Sequence, residues 1–434
     1  MNTVRAGSGA QRGLTLLLSV LMLVGSLPAA AADAVTQWSL LADSYGRGNA
    51  NWRTLAIMNQ AMHDAANAAS PTFARWFSPA AGEPPANVAS AQTAMAAAAS
   101  RVLALLHPDH GAETQRALGL AIASESPGPA RDAGVALGIE IGTAAVQRRA
   151  SDGGDAIKTF AFGAGPGEWR GTPTRLGSST TTAIRPFLFA ARESVISPPP
   201  PALGSLQYIK EVEEARSIGA ADSAIRTAEQ TDAANFWASQ SSQRGYVYLA
   251  IQLLDAHPRQ GGLIEHARVM SQLTVALADS AILTWSNKER YARWRPVTAI
   301  RLGGFGVTAD PNWLPVIETP PFPEYPSGHA SDCFTGSAML QAAFGPEVSS
   351  VTYVSQRDRA PESAEVIFGM GEHKQNVAVE TPLARSFPSL AAAAEECSNS
   401  RIWAGAHYRS GDEESRRLAG VIAAGAAEAV PVLP

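Results

Sequence analysis

The sequence predicts an all-α protein, built as one or more helical bundles with at most a short β-hairpin. Two observations carry that prediction. From Trp38 onward, apolar residues recur at helical spacing along most of the chain. Runs with the two-residue alternation of a strand are few and short. With 434 residues and 46% hydrophobic content against 17% charged, the chain can bury a large core.

The elements follow in order. Residues 1–32 read as a secretory signal, with Arg5 and Arg12 as the basic region, Leu14 to Leu27 as the apolar region, and Ala30-Ala31-Ala32 as the cleavage site. A retained membrane anchor is the alternative reading, and no later stretch reaches spanning length. Asn51 to Ala69 places Leu55, Met58, Met62 and Ala66 on one helical face. Helices are also expected over 89–106, 112–124 and 129–151. A Gly/Pro-rich segment, Phe162 to Pro173, and the four prolines 198–201 interrupt the pattern. Helices resume over 205–217, 223–239, 246–254 and 263–288, then 330–344, 390–400 and 415–430. Val351 to Val354 and Val377 to Val379 are the candidates for the hairpin. The division read from this pattern is a signal (1–32), an N-terminal helical half (33–161), a connector (162–204) and a C-terminal helical half (205–434), the two halves packing as one globule.

The formal charge is −5, and removal of residues 1–32 with Arg5 and Arg12 leaves 32 basic against 39 acidic residues, −7. That balance gives no support to nucleic-acid binding. The two cysteines, Cys333 and Cys397, lie one turn from His329 and from Arg401 on helices expected to converge. In an oxidising compartment they are a candidate disulfide, and two buried thiols are the alternative.

Three segments carry chemistry. Pro326-Ser327-Gly328-His329 opens a helix, where backbone N–H groups and a hydroxyl suit an oxyanion and a histidine can move a proton. Lys288 and Arg295 are seven residues apart, so on a helix they share a face, two turns from each other, whereas Arg290 and Arg293 read as solvated. Ser400 to His407 adds Arg401 and a second histidine. Three cations, a hydroxyl, a helix N-terminus and two histidines are what a tetrahedral oxyanion requires.

In this order, Lys-x6-Arg-Pro, Pro-Ser-Gly-His and Ser-Arg-x5-His resemble the superfamily that joins vanadium-dependent haloperoxidases with type-2 phosphatidic acid phosphatases and bacterial acid phosphatases. Trp169 to Pro173, the tetraproline, Thr231 to Trp237 and Trp294 to Ile300 resemble its soluble bacterial haloperoxidase-like branch. The resemblance implies a helical-bundle fold of that type. It implies that Lys288, Arg295 and Arg401, with Ser327 and the Gly328 N–H, hold the oxygens of vanadate or phosphate. His407 is then the axial ligand to vanadate, or the nucleophile that forms a phosphohistidine, and His329 the acid–base group. The family pattern has an acid four residues after that ligand. Here position 411 is glycine and the acid is Asp412, so either Asp412 or a backbone carbonyl is expected to orient His407. Phe322 is the candidate halide-pocket residue, with simple packing as the other reading.

The resemblance leaves two chemistries. In one, vanadate is the cofactor, His329 deprotonates hydrogen peroxide, Lys288 polarises it, and halide is oxidised to hypohalous acid. In the other, an exported acid phosphatase hydrolyses phosphomonoesters without metal. A non-catalytic phosphate-binding protein is a third. The protein is expected to be exported, periplasmic or secreted, with small-molecule partners and no membrane span after signal removal. Of the remaining histidines, His63 reads as a buried polar pair with Asp64, His107 and His110 as loop residues with a weak metal alternative, and His257, His266 and His373 as exposed.

Overall fold

The computed structural model describes residues 33–46, 51–79, 83, 89–123, 125–171, 178–179, 181–239, 241–256, 262–346, 348–355, 364–368 and 383–433. The 1–32 segment, Val377 to Val379, His257 and His373 lie outside them.

The chain is helical, as its periodicity predicts. The first half holds α1 (Ala34–Tyr45), α2 (Asn51–Ala69), α3 (Ala91–Leu106), α4 (Gly111–Ala123) and α5 (Pro129–Arg148). A two-residue pair follows, β1 (Lys158–Thr159) with β2 (Ser178–Ser179). The second half holds α6 (Leu206–Ile218), α7 (Ala228–Ala238), α8 (Ser242–Ala256), α9 (Gly262–Tyr291), α10 (Pro296–Leu302), α11 (Gly328–Phe344), β3 (Val351–Val354), α12 (Ala364–Ile367), β4 (Ala384–Phe387), α13 (Leu390–Trp403) and α14 (Arg409–Glu428).

Most expected helices stand within a few residues of their predicted ends, and the differences have local causes. α7 starts at Ala228 and not at residue 223, because Thr227 and Gln230 form a reciprocal capping box there. β3 pairs antiparallel with β4, Val351 opposite Phe387, so Ala384–Phe387 takes the place foreseen for Val377 to Val379. With β1–β2, the described residues hold two short antiparallel pairs where one hairpin was expected. α1, α10 and α12 were not foreseen as separate helices.

α9 is the central strut. It packs against α2, α11 and α14. One apolar core runs from Val35 and Trp38 through Met58, Leu273 and Leu340 to Ile422, so both halves share it. α11 is gripped between α9, α13 and α14, which brings its N-terminus to the end of α9 and to the turn between α13 and α14. The Cys333–Cys397 disulfide joins α11 to α13 across 64 residues of sequence.

Candidate functional site

Lys288 and Arg295 do not share one helix. α9 ends at Tyr291, Ala292 takes a left-handed φ of 39°, and Arg295 becomes the N-cap of α10 with Pro296 as its first residue. The connector crosses this break. Trp169 N–H donates to the Ala292 carbonyl at 2.6 Å and Trp294 N–H to the Gly167 carbonyl at 2.8 Å. Turning out of α9 sends Lys288 and Arg295 to two sides of one buried centre.

The structure brings the predicted cations together and buries all three: Lys288 is 0% exposed, Arg295 1% and Arg401 1%. Lys288 Nζ donates to the carbonyls of Pro323 (2.9 Å), Glu324 (2.8 Å) and Pro326, so it also clamps the turn that leads into α11. Arg295 donates from Nε to the Phe322 carbonyl (3.0 Å) and from Nη1 to the Ala406 carbonyl (2.8 Å). Its Nη2, and Nε and Nη1 of Arg401, are buried with no hydrogen-bond acceptor. Unpaired buried guanidinium donors are costly, and they mark where an anion belongs. Burial lowers Arg295 to about 9 and Arg401 to about 10. Burial and then Arg295 push Lys288 well below its ordinary value. A bound oxyanion opposes all three shifts.

Ser327 is the N-cap of α11, yet its hydroxyl does not cap the helix. Its N–H donates to the Gly411 carbonyl at 3.1 Å, which locks the start of α11 to the first turn of α14. Gly328 leaves room for the Trp285 ring, which would lie 3.0 Å from a Cβ at that position. Phe322 lies 5.4 Å from Trp285, centroid to centroid, with Lys288 Nζ 5.3 Å and Arg295 Cζ 5.0 Å from its ring. One side of the cage is therefore an aromatic wall.

His407 Nδ1 lies 2.9 Å from Glu324 Oε1, and its Nε2 lies 2.9 Å from Arg295 Nη1. The expectation that Asp412 or a backbone carbonyl faces His407 is corrected: the group against His407 Nδ1 is Glu324. A carboxylate can only accept, so the Nδ1 proton faces Glu324 and the Nε2 lone pair faces the cations. Burial, then Arg295, Lys288, Arg401 and His329, hold His407 neutral, well below its ordinary value. His329 lies on the first turn of α11, directly after Ser327 and Gly328. Asp412 is buried as well, and burial raises it to about 7, with the Ser327 hydroxyl the largest opposing influence.

Glu324 is the residue that sequence reasoning missed. Its partner is 83 positions away, a separation that leaves no spacing pattern. Arg293, expected to be solvated, is 4% exposed and lies 3.4 Å from Glu324 Oε2 and 3.5 Å from Glu211 Oε2. It is buried because residues 292–295 leave the helix and pass inward. Arg290 is exposed, as expected.

The other histidines have ordinary partners. His63 and Asp64 form the buried pair at 3.1 Å. His107 meets Thr54 at 2.9 Å, and His110 stacks on Tyr45 at 4.1 Å. His266 is half-buried and paired with Asp33, not exposed.

Residues 268–432, which contain every cage residue, match the VCPO second helical-bundle domain. That match covers the segment that bears the site. A vanadium chloroperoxidase from Curvularia inaequalis is 26% identical, over 51% of this chain and 44% of that protein. The chain thus spans less than half the length of that curated relative. Among solved structures, a bacterial vanadium-dependent iodoperoxidase superposes with a TM-score of 0.70 at 21% identity, covering 92% of this chain and 95% of that one. A holo-type bacterial vanadium-dependent chloroperoxidase superposes at 0.63 and 16% identity, covering 87% and 90%. The vanadium haloperoxidase helical fold therefore extends over nearly the whole chain, beyond the segment that the family model matches.

Proposed function

We propose that the chain is a vanadium-dependent haloperoxidase, which uses hydrogen peroxide and a proton to oxidise halide to hypohalous acid and water. The observation that carries this reading is the set of unpaired buried donors on Arg295 and Arg401 around a neutral His407. The donor set fits vanadate: two planar guanidinium groups for its oxygens and one imidazole lone pair for the metal. Bound vanadate supplies an electrophilic centre for peroxide without changing its own oxidation state.

The chain's residues do the rest. Arg295 and Arg401 hold the oxyanion, and its negative charge favours the ammonium form of Lys288 beside it. Glu324 keeps the His407 proton on Nδ1, so Nε2, which accepts from Arg295 Nη1 in this structure, is the atom that would turn to the metal. His329 takes the proton from incoming peroxide. Trp285 and Phe322 keep water from one side of the cage, where the halide is to approach the cationic edge.

An acid phosphatase is the second reading. Phosphate has the same shape and charge type, and a neutral His407 held by Glu324 is also a competent nucleophile. The aromatic wall beside Lys288 and the whole-length likeness to haloperoxidases support the first. The test is a paired assay on purified protein. Halogenation of a dione dye that requires orthovanadate, peroxide and bromide supports the haloperoxidase. Hydrolysis of a chromogenic phosphomonoester that vanadate inhibits, without halogenation, supports the phosphatase. Turnover in neither assay, with anion binding retained, returns the chain to a phosphate-binding role.

Export is part of the same reading. No helix among the described residues is long and apolar enough to cross a membrane, and the Cys333–Cys397 disulfide suits an oxidising compartment. N-terminal sequencing of protein recovered outside the cytoplasm checks for a start at Asp33.

A further inference from the structure

We propose that Glu324 is the positioning residue for His407, and that position 411 is glycine so that this carboxylate can enter. The inference rests on reading the cage as an oxyanion site, and not on which reaction follows.

Glu324 is 0% exposed, and its Oε1 accepts from two groups of one segment, His407 Nδ1 at 2.9 Å and Tyr408 N–H at 3.2 Å. The first turn of α14 closes over it. Gly411 N–H donates to the Tyr408 carbonyl at 3.0 Å, and a Cβ at 411 would lie 2.4 Å from Glu324 Oε1. No side chain at 411 can coexist with the carboxylate in that place. The reverse also holds: a carboxylate carried by residue 411 would occupy the space that Glu324 now fills, on the same side of His407.

The turn that carries Glu324 is fixed at several points. Glu324 N–H donates to the Arg293 carbonyl at 2.9 Å, and Lys288 holds the carbonyls on either side. Arg293 faces the second carboxylate oxygen at 3.4 Å. Arg293 is itself held by Ser410 (3.0 Å) and by Glu211, which accepts from Ser410 at 2.7 Å. Burial pushes Glu324 up, and Arg293, Lys288 and Arg295 oppose that push; a carboxylate anchored in this way favours one imidazole tautomer and one ring orientation. A purely structural Glu324, serving only as counter-ion to Arg293, would leave His407 indifferent to where the carboxylate comes from.

The experiment is a swap, read by oxyanion binding and by the protonation of the His407 ring nitrogens. Four full-length variants are compared with the parent protein: Glu324→Gln, Glu324→Ala, Gly411→Asp, and Glu324→Ala with Gly411→Asp. Calorimetric titration uses orthovanadate and, separately, orthophosphate, and nitrogen-15 NMR of the anion-free protein reports the tautomer. Glu324→Ala is expected to lower vanadate affinity by about 10–100-fold and to mix the tautomers. Glu324→Gln keeps the size and an acceptor, so it is expected to hold the tautomer and lose less affinity. Gly411→Asp alone is expected to weaken binding through the clash with Glu324. The double variant is expected to bind better than either of its parents and to restore the Nδ1 proton. Parental affinity and tautomer in Glu324→Ala, or a double variant no better than the poorer single one, overturns the proposal. No readout requires turnover, so a failed halogenation assay and a failed swap remain distinct results.

Discussion

At the residue scale, Lys288 shows how one side chain can serve the site and the fold together. Its ammonium has three donors, and the carbonyls of residues 323, 324 and 326 accept all three. The same clamp places Glu324, Ser327 and His329 around the cage. Replacing Lys288 with methionine keeps the volume of the stem but leaves three buried carbonyls without a donor. In anion-free protein this is expected to cost about 2–4 kcal/mol of stability, read from urea unfolding. Vanadate-dependent turnover is expected to fall to background in the same variant. Unchanged stability with lost turnover would separate the two roles. Arg295 is a second such case. Spacing alone matched it to Lys288, but the left-handed Ala292 and the start of α10 decide where it points.

At the element scale, close helix packing decides which positions tolerate a side chain. α5 presents Gly134, Gly138 and Gly142 on one face to the alanine-rich α3. A Cβ at Gly138 would lie 2.2 Å from the Ala94 carbonyl and 2.7 Å from the Ala97 Cβ. Gly138→Ala therefore should destabilise by about 1–3 kcal/mol despite alanine's higher helix propensity, as thermal unfolding will show. A stabilised variant would mean that the two helices separate at little cost.

The junction of α8, α9 and α11 uses polar groups. Asp332 accepts from Ser242 (2.9 Å), Gln243 (3.2 Å) and Ser280 (3.0 Å), and burial raises it from 3.8 to about 7. Between those values the folded protein holds a proton that the unfolded chain has released. Its contribution to stability is therefore largest at low pH and is lost as pH rises through about 7. The cost of Asp332→Asn should shrink steadily from pH 4 to pH 7 in paired urea titrations. A cost that grows with pH would contradict the assignment.

For the whole molecule, the burial of three cations in one cage, only partly offset by Glu324 and Asp412, is the main consequence of the fold. Lys288, Arg295 and Arg401 come from three separate elements, and all are lowered by burial. Any oxyanion that binds the folded state alone should stabilise it by linkage. At about 100 times its dissociation constant, orthophosphate or orthovanadate should raise Tm by about 3–5 °C for a chain of this size. Arg401→Ala should abolish that rise. A full shift in that variant would place the anion elsewhere.

The sequence by itself determined the helical class, the order of the three oxyanion motifs, and the residue types at Lys288, Arg295, Ser327, His329, Arg401 and His407. Those features are local, because helical periodicity and short motifs survive in one dimension. The Cys333–Cys397 pairing was half legible, since each cysteine lies one turn from a motif residue, but only the convergence of α11 and α13 makes the bond. Tertiary structure alone decided that Glu324 and not Asp412 faces His407, that Arg293 is buried, and that Gly411 makes room for a carboxylate. Each depends on groups from distant segments meeting in a buried space, where low polarity makes partner choice decisive. No spacing within a single segment records such a meeting.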